Sequence, residues 1–278
     1  MSISLPTYQR REAPLLGRSQ RVRAIITTGL SRELRRPAAL FTTAIGVLFT
    51  TATSMVLLFL APILIPGQPI DLSFFYVTAS NFTILLFVTL MASVIGSGLI
   101  ADDRDSMALT LYLSRPITGA DYLIAKASVL TPLVAFVSVL PLVIAPFVAF
   151  LLGLFPAEVA LPAMGVGFAA GALLTAFYVS LSLSLSSMTR RKSYAAAGVF
   201  AVTFGLTIPA GVLASALNSP ELLYLSPWED FLAVARGVYG VSGGLIDWPG
   251  ALAILLGATV LASLLAYLRM NAVEVVSG

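Results

Sequence analysis

Residues 101 to 126 read Ala-Asp-Asp-Arg-Asp-Ser-Met-Ala-Leu-Thr-Leu-Tyr-Leu-Ser-Arg-Pro-Ile-Thr-Gly-Ala-Asp-Tyr-Leu-Ile-Ala-Lys, a charged island between two apolar runs. Residues 74 to 100 before it and 127 to 155 after it carry no charged side chain. Each run is long enough to cross a hydrocarbon core of ~30 Å as a helix. The island therefore belongs to an aqueous face, and the same reading extends outward along the chain.

Of the 278 residues 58% are hydrophobic and 10% charged, with a mean hydropathy of +0.97. A soluble domain carries roughly 25% charged residues, so an ordinary soluble protein is excluded. Charge-free runs recur near residues 38 to 65, 74 to 100, 127 to 155, 162 to 188, 194 to 217 and 249 to 268. The expected fold is an all-α polytopic membrane protein with six transmembrane helices over 38 to 278, preceded by a basic arm over 1 to 37. The arm does not read as a cleavable signal peptide, because no short charged region leads into an apolar core.

With the amino terminus inside, the inner segments are 1 to 37, the island, Thr189 to Ser193, and the tail after Leu268. They hold fifteen of the sixteen Lys and Arg residues, Arg236 being the exception. The net charge is then +8 inside and −5 outside. The positive-inside rule supports this orientation, and an odd number of spans would spoil the partition.

Within the arm, Val22, Ile25, Ile26, Leu30 and Leu34 recur at spacings of three and four. Arg18, Arg21, Arg23, Arg32, Arg35 and Arg36 flank that stripe, which suits an amphipathic helix in the headgroup region. A solvated basic tail that only orients the first span is the plainer alternative. Arg32, Glu33, Arg35 and Arg36 end the arm, and Pro37 marks a break before the membrane.

The spans contain no Asp, Glu, Lys or Arg, although coupled transporters and intramembrane enzymes usually place such groups at membrane depth. Their polar content is hydroxyls and one amide. Thr50, Ser54, Asn81, Ser180 and Ser184 are candidates for a translocation path, against the alternative that such residues pack helices and bond back to carbonyls. Gly167 and Gly171 form a GxxxG for close helix contact, and Pro132, Pro141 and Pro146 should bend the third span.

Between the fifth and sixth spans, Ser226, Pro227 and Glu229 predict a capped helix from Pro227. Trp228, Phe231, Leu232, Ala235, Val238 and Tyr239 give it one apolar side, and Gly240, Gly243 and Gly244 end it. Trp228, Glu229 and Phe231 are candidates for an outer gate; an anchoring interfacial helix is the equal alternative.

With no Cys and no His, thiol chemistry, disulfides, imidazole metal sites and histidine bases are unavailable. Lys126 and Lys192, the only lysines, follow Ala125 and Arg191 rather than a glycine-rich loop, so the chain cannot form a P-loop of its own. No Gly-x-Ser-x-Gly elbow occurs. The expectation is a protein that is not an enzyme.

The island then becomes the place where outside energy can enter. Asp102, Asp103, Arg104 and Asp105 should favour the start of a short helix carrying Met107, Leu109, Leu111 and Leu113. Arg115 and Pro116 stop it, and Thr118 with Asp121 caps a second helix through Lys126. The expected unit is a helix-turn-helix at the inner face; a well-capped connection with snorkelling charges is the plainer alternative.

The order of these residues resembles the segment after the second span of ABC-2 type permeases, the membrane subunits of ATP-binding-cassette exporters. The matching positions are Asp102 and Asp103, then Ala108-Leu109-Thr110-Leu111, then Leu113-Ser114-Arg115-Pro116, then Ala125-Lys126. Ala108 and Ala125 stand where that pattern usually has glycine. The arm ending Arg32-Glu33-Leu34-Arg35-Arg36, the six spans and Leu225-Ser226-Pro227-Trp228 extend the resemblance over most of the chain.

The resemblance implies a permease in the inner (plasma) membrane that pairs with a second permease copy or paralogue and with two cytoplasmic ATPase subunits. ATP and magnesium would sit on those partners, with no cofactor on this chain and no nucleic acid involved. ATPase coupling would fall to Asp102, Asp103, Arg104, Asp105, Leu109, Leu111, Ser114, Arg115, Pro116 and Lys126. A secondary transporter is disfavoured by the uncharged spans. A non-transporting scaffold that recruits a cytoplasmic partner through island and arm remains the alternative of a different class.

Overall fold

A computed structural model describes residues 17 to 64, 71 to 109 and 117 to 276. Leu111, Ser114, Arg115 and Pro116 lie outside the described residues, as does the turn of the expected helix-turn-helix. Helix α1 covers Arg18–Leu34 and α2 covers Pro37–Leu64. A 3-10 turn at Leu72–Phe75 leads into α3 (Tyr76–Ala79), α4 (Phe82–Met91), a π-helical turn at Ala92–Gly96 and α5 (Gly98–Asp105). Then follow α6 (Gly119–Ser138), α7 (Leu140–Leu151), α8 (Ala157–Met188) and α9 (Lys192–Ala216). A 3-10 turn at Pro220–Leu225 precedes α10 (Pro227–Tyr239), and α11 covers Trp248–Val276.

Among the described residues six helices are long and apolar enough to cross a membrane: α2, α4 with α5, α6, α8, α9 and α11. The second span is the most enclosed and the fourth follows it, whereas the fifth and sixth expose most of their surface. One apolar core joins α4, α6, α7 and α8, and at the end of the bundle away from most of the arginines the rings of Phe74, Phe75 and Phe155 gather with centroids 4.9 to 6.1 Å apart.

The second span differs from the expected uninterrupted run over 74 to 100. Asn81 interrupts it as the N-cap of α4, its side chain accepting from the Thr83 N–H. The acidic residues Asp102, Asp103 and Asp105 sit in the last turn of α5, not at the start of a new helix. The macrodipole disfavours carboxylates there, so other groups must neutralise them. The third span breaks at Val139, between α6 and α7, where Pro141 cannot donate to the Val137 carbonyl. Pro132 and Pro146 lie inside helices that continue past them.

Gly167 and Gly171 bring α8 against that break. A Cβ on Gly167 would stand 2.5 Å from the Leu142 carbonyl oxygen, and one on Gly171 would stand 2.7 Å from the Val139 Cα. The GxxxG thus serves contact within the chain. Helix α10 begins as expected, with the Ser226 hydroxyl accepting from the Glu229 N–H, and ends at Gly240 with φ of 74°. Most of its apolar side, Trp228, Phe231, Ala235 and Tyr239, packs against protein, however, while Val238 is exposed. Trp228 and Phe231 are buried in the core, stacked with centroids 5.2 Å apart.

Candidate functional site: an ion-paired knot at the basic end

Helix α1 lies along α6, with Gly29 so close to Val129 that a Cβ would meet Val129 Cγ2 at 2.9 Å. Val22, Ile25, Ile26 and Leu30 are half-buried, as the amphipathic stripe predicts, while Leu34 is exposed. At the start of α1, the Arg18 Nε and Nη2 each donate to an Asp121 carboxylate oxygen at 2.9 Å. That hydrogen bond and charge raise the Arg18 guanidinium above its ordinary value. Asp121 also closes the predicted capping box, with Thr118 Oγ1 accepting from its N–H at 3.2 Å.

At the end of α1, Arg36 Nη1 donates to both oxygens of buried Glu33 at 3.0 Å, and its Nη2 reaches Asp102 Oδ2 at 3.5 Å. Glu33, foremost through that hydrogen bond, holds the Arg36 guanidinium above its usual range despite partial burial. Arg32 Nη1 stands 4.0 Å from Asp103 Oδ1. The same carboxylate takes the Tyr122 O–H at 2.7 Å and the Lys126 Nζ at 2.7 Å on Oδ2. Lys126 also lies 5.3 Å from the centre of the Tyr122 ring.

Asp102 and Asp103, which α5 places at its disfavoured end, are thereby neutralised from the arm and α6, while Asp105 is exposed. Arm, second span and third span are locked together, with a cavity of about 120 Å³ between them lined by Ile25, Thr28, Arg32, Glu33, Gly98 and Lys126. Of the sequence candidates, Asp102, Asp103, Lys126, Arg32, Glu33 and Arg36 meet in this knot. Asp105 and Arg35 are exposed, Leu109 is buried in the core, and Arg104 turns to α8, donating to the Ser187 carbonyl.

Two members escaped the sequence reading. Tyr122 is four residues before Lys126 and so shares its helix face, a spacing that could have marked it. Ser186 accepts from the Ile100 and Ala101 N–H groups at 3.1 and 3.0 Å and donates to the Ser97 carbonyl at 2.7 Å. It satisfies first-turn amides of α5 from another helix, a role that nothing in a run of alternating serines distinguishes.

The polar candidates within the spans fall in two places. Asn81 Nδ2 reaches Thr53 Oγ1 at 2.7 Å, Ser54 Oγ at 3.0 Å and the Thr50 carbonyl at 3.4 Å. This cluster borders a groove of about 620 Å³ on α2, otherwise lined by apolar side chains such as Leu48, Phe49, Val56 and Leu57. Ser180 instead accepts from Ser263 on α11, and the Ser184 carbonyl accepts from Ser187. At the far end Glu229 is half-buried beside the Trp228–Phe231 stack.

No curated protein matches the chain. The family model described as ABC-2 family transporter protein matches residues 36–275, from the last arginine of the knot's arm through the sixth span. With a knot joining arm, second and third spans, six membrane-length helices and that match over most of its length, the chain belongs to the ABC-2 transporter family, as a multi-pass membrane permease subunit of an ABC transporter.

Proposed function

We propose that this permease is the membrane half of an exporter, driven by two cytoplasmic ATPase subunits and paired with a second permease, an identical copy or a paralogue. It sits in the inner membrane with both termini, the arm and the island on the cytoplasmic side, a reading supported by the partition of basic residues. ATP and magnesium are held by the partner subunits, and this chain performs no catalysis.

The observation that carries the reading is the convergence of α1, α5 and α6 on Asp103. A force on the arm or the island reaches the second and third spans together, as coupling through a rigid two-state contact requires. Leu111, Ser114, Arg115 and Pro116, outside the described residues, make contact with the ATPase. The Asn81 cluster with Thr50 and Ser54 lines part of the path, Ser180 and Ser184 another part nearer the cytoplasm, and Trp228, Glu229 and Phe231 close its outer end.

The test is mild extraction of the tagged full chain from its native membrane, followed by reconstitution with any accompanying nucleotide-binding subunit. The expected result is an ATPase whose turnover rises in the presence of the permease and loses that rise with Arg115→Glu. Absence of a nucleotide-binding subunit would return the chain to the scaffold reading.

A further inference from the structure

Arg104 leaves the knot and donates to the Ser187 carbonyl, one of the last four of α8, which lack partners within the helix. Arg190, just past the end of α8, and Arg269 on α11 both bring positive charge to bear on its guanidinium. A separate observation sets Arg269 at the level of this end of α8. Helices α8 and α11 both run from the far end towards the basic end, and Ser263 donates to Ser180 at 3.0 Å. Six residues further along each helix, ~9 Å at the usual rise, Arg269 and Ser186 stand at one level.

Three guanidinium groups from three parts of the chain therefore converge beside the end of α8. Among the described residues none of the three has a carboxylate within ion-pair distance. Like charges held together without a counter-ion repel, and the described residues provide none within ion-pair distance. Leu261, Leu265 and Arg269 follow at spacings of four along α11, and all are exposed, so an apolar stripe descends directly onto the cationic cluster.

We propose that Arg104, Arg190 and Arg269 bind the phosphate of an anionic glycerophospholipid whose acyl chain lies along Leu261 and Leu265. The ends of the spans set the guanidinium groups at headgroup depth, and the planar fork of arginine matches phosphate oxygens. Basic clusters at the ends of membrane helices attract anionic lipid. An acidic protein surface would answer the charge but leave the stripe bare. The inference rests on the six-span fold and not on the exporter reading.

The test compares the full chain in nanodiscs of phosphatidylcholine alone with nanodiscs that also contain phosphatidylglycerol or cardiolipin. Retained lipid is measured by native mass spectrometry and stability by thermal unfolding. Anionic lipid should be retained and should raise the unfolding temperature. The double variant Arg190→Gln/Arg269→Gln should lose retention by about tenfold while unfolding as the parent does in phosphatidylcholine. Equal loss in the charge-matched Arg21→Gln/Arg23→Gln variant would overturn the site in favour of bulk charge. Equal stabilisation by inorganic phosphate or glycerol phosphate would overturn the lipid in favour of a free anion. Unaltered lipid retention in the double variant, with weakened association of an ATPase subunit, would assign the cluster to a protein partner instead.

Discussion

The Nζ of Lys126 lies 2.7 Å from Oδ2 of Asp103, and both side chains are less than a tenth exposed. Removing two charges from water is costly, and their attraction offsets the cost only where geometry and further hydrogen bonds are good. Here Tyr122 donates to the same oxygen and Arg32 approaches the other. The pair is thus embedded in a set of partners that each depend on the others.

Loss of one partner should be worse than loss of both. Lys126→Met leaves the Asp103 carboxylate buried with a distant Arg32, and a cost of about 3 kcal/mol is expected, at the lower end for broken buried pairs. Adding Asp103→Asn removes the stranded charge and should restore most of it. Thermal unfolding of the two single variants and the double variant, in one detergent, reads the coupling directly; additive effects would show that the two residues act separately.

The span count, the arm and the capped start of α6 were legible because each depends on local pattern: charge-free length, a three-four stripe, and Thr118 three residues before Asp121. The knot was half-legible. Asp102, Asp103 and Lys126 stood out as charges beside the membrane, but the pairing of Asp102 with Arg36 and of Asp103 with Arg32 spans more than sixty residues and depends on α1 lying along α6. The reversal of the acidic group, from helix start to helix end, has the same origin. Local preference favoured the N-terminus, and tertiary ion pairs overrode it. Burial of the Trp228 face was likewise hidden, since an apolar stripe reads alike whether it meets lipid or protein.

Ser186→Ala should unlock the second span. The substitution removes the acceptor for the buried Ile100 and Ala101 amides and the donor to Ser97, and a buried unsatisfied group costs about 1–3 kcal/mol. Hydrogen exchange should quicken at Ile100 and Ala101 while the amides of α6 remain protected. Unchanged exchange at those two amides would mean that the serine is not their effective partner.

Close approach of α8 to the break in the third span separates two glycines on one helix. An added methyl at Gly171 meets the Val139 Cα and the Ser138 carbonyl, backbone atoms that cannot swing aside, whereas Gly165 has nothing within 4 Å. Gly171→Ala should lower folded yield and unfolding temperature. Gly165→Ala should hold or raise both, by up to about 1 kcal/mol, through the helix preference of alanine. Size-exclusion profiles and thermal unfolding in detergent distinguish the two.

Asp230 in α10 provides a pH dependence with a definite sign. Its carboxyl is buried, Oδ1 has no hydrogen-bond partner, and burial followed by the charge of Glu229 pushes it up to about 7 from an ordinary value of 3.8. The folded chain therefore holds this proton more tightly than the unfolded chain. The resulting stabilisation is fully present below about pH 4 and is lost as the pH rises through about 7, where the buried group must ionise. Asp230→Asn should raise the unfolding temperature most above that point and flatten its change between about pH 4 and about pH 7. Glu229→Gln, which removes the smaller contribution, should move the midpoint down without abolishing the dependence. Parallel unfolding profiles for the parent and Asp230→Asn would assign the pH response to other groups.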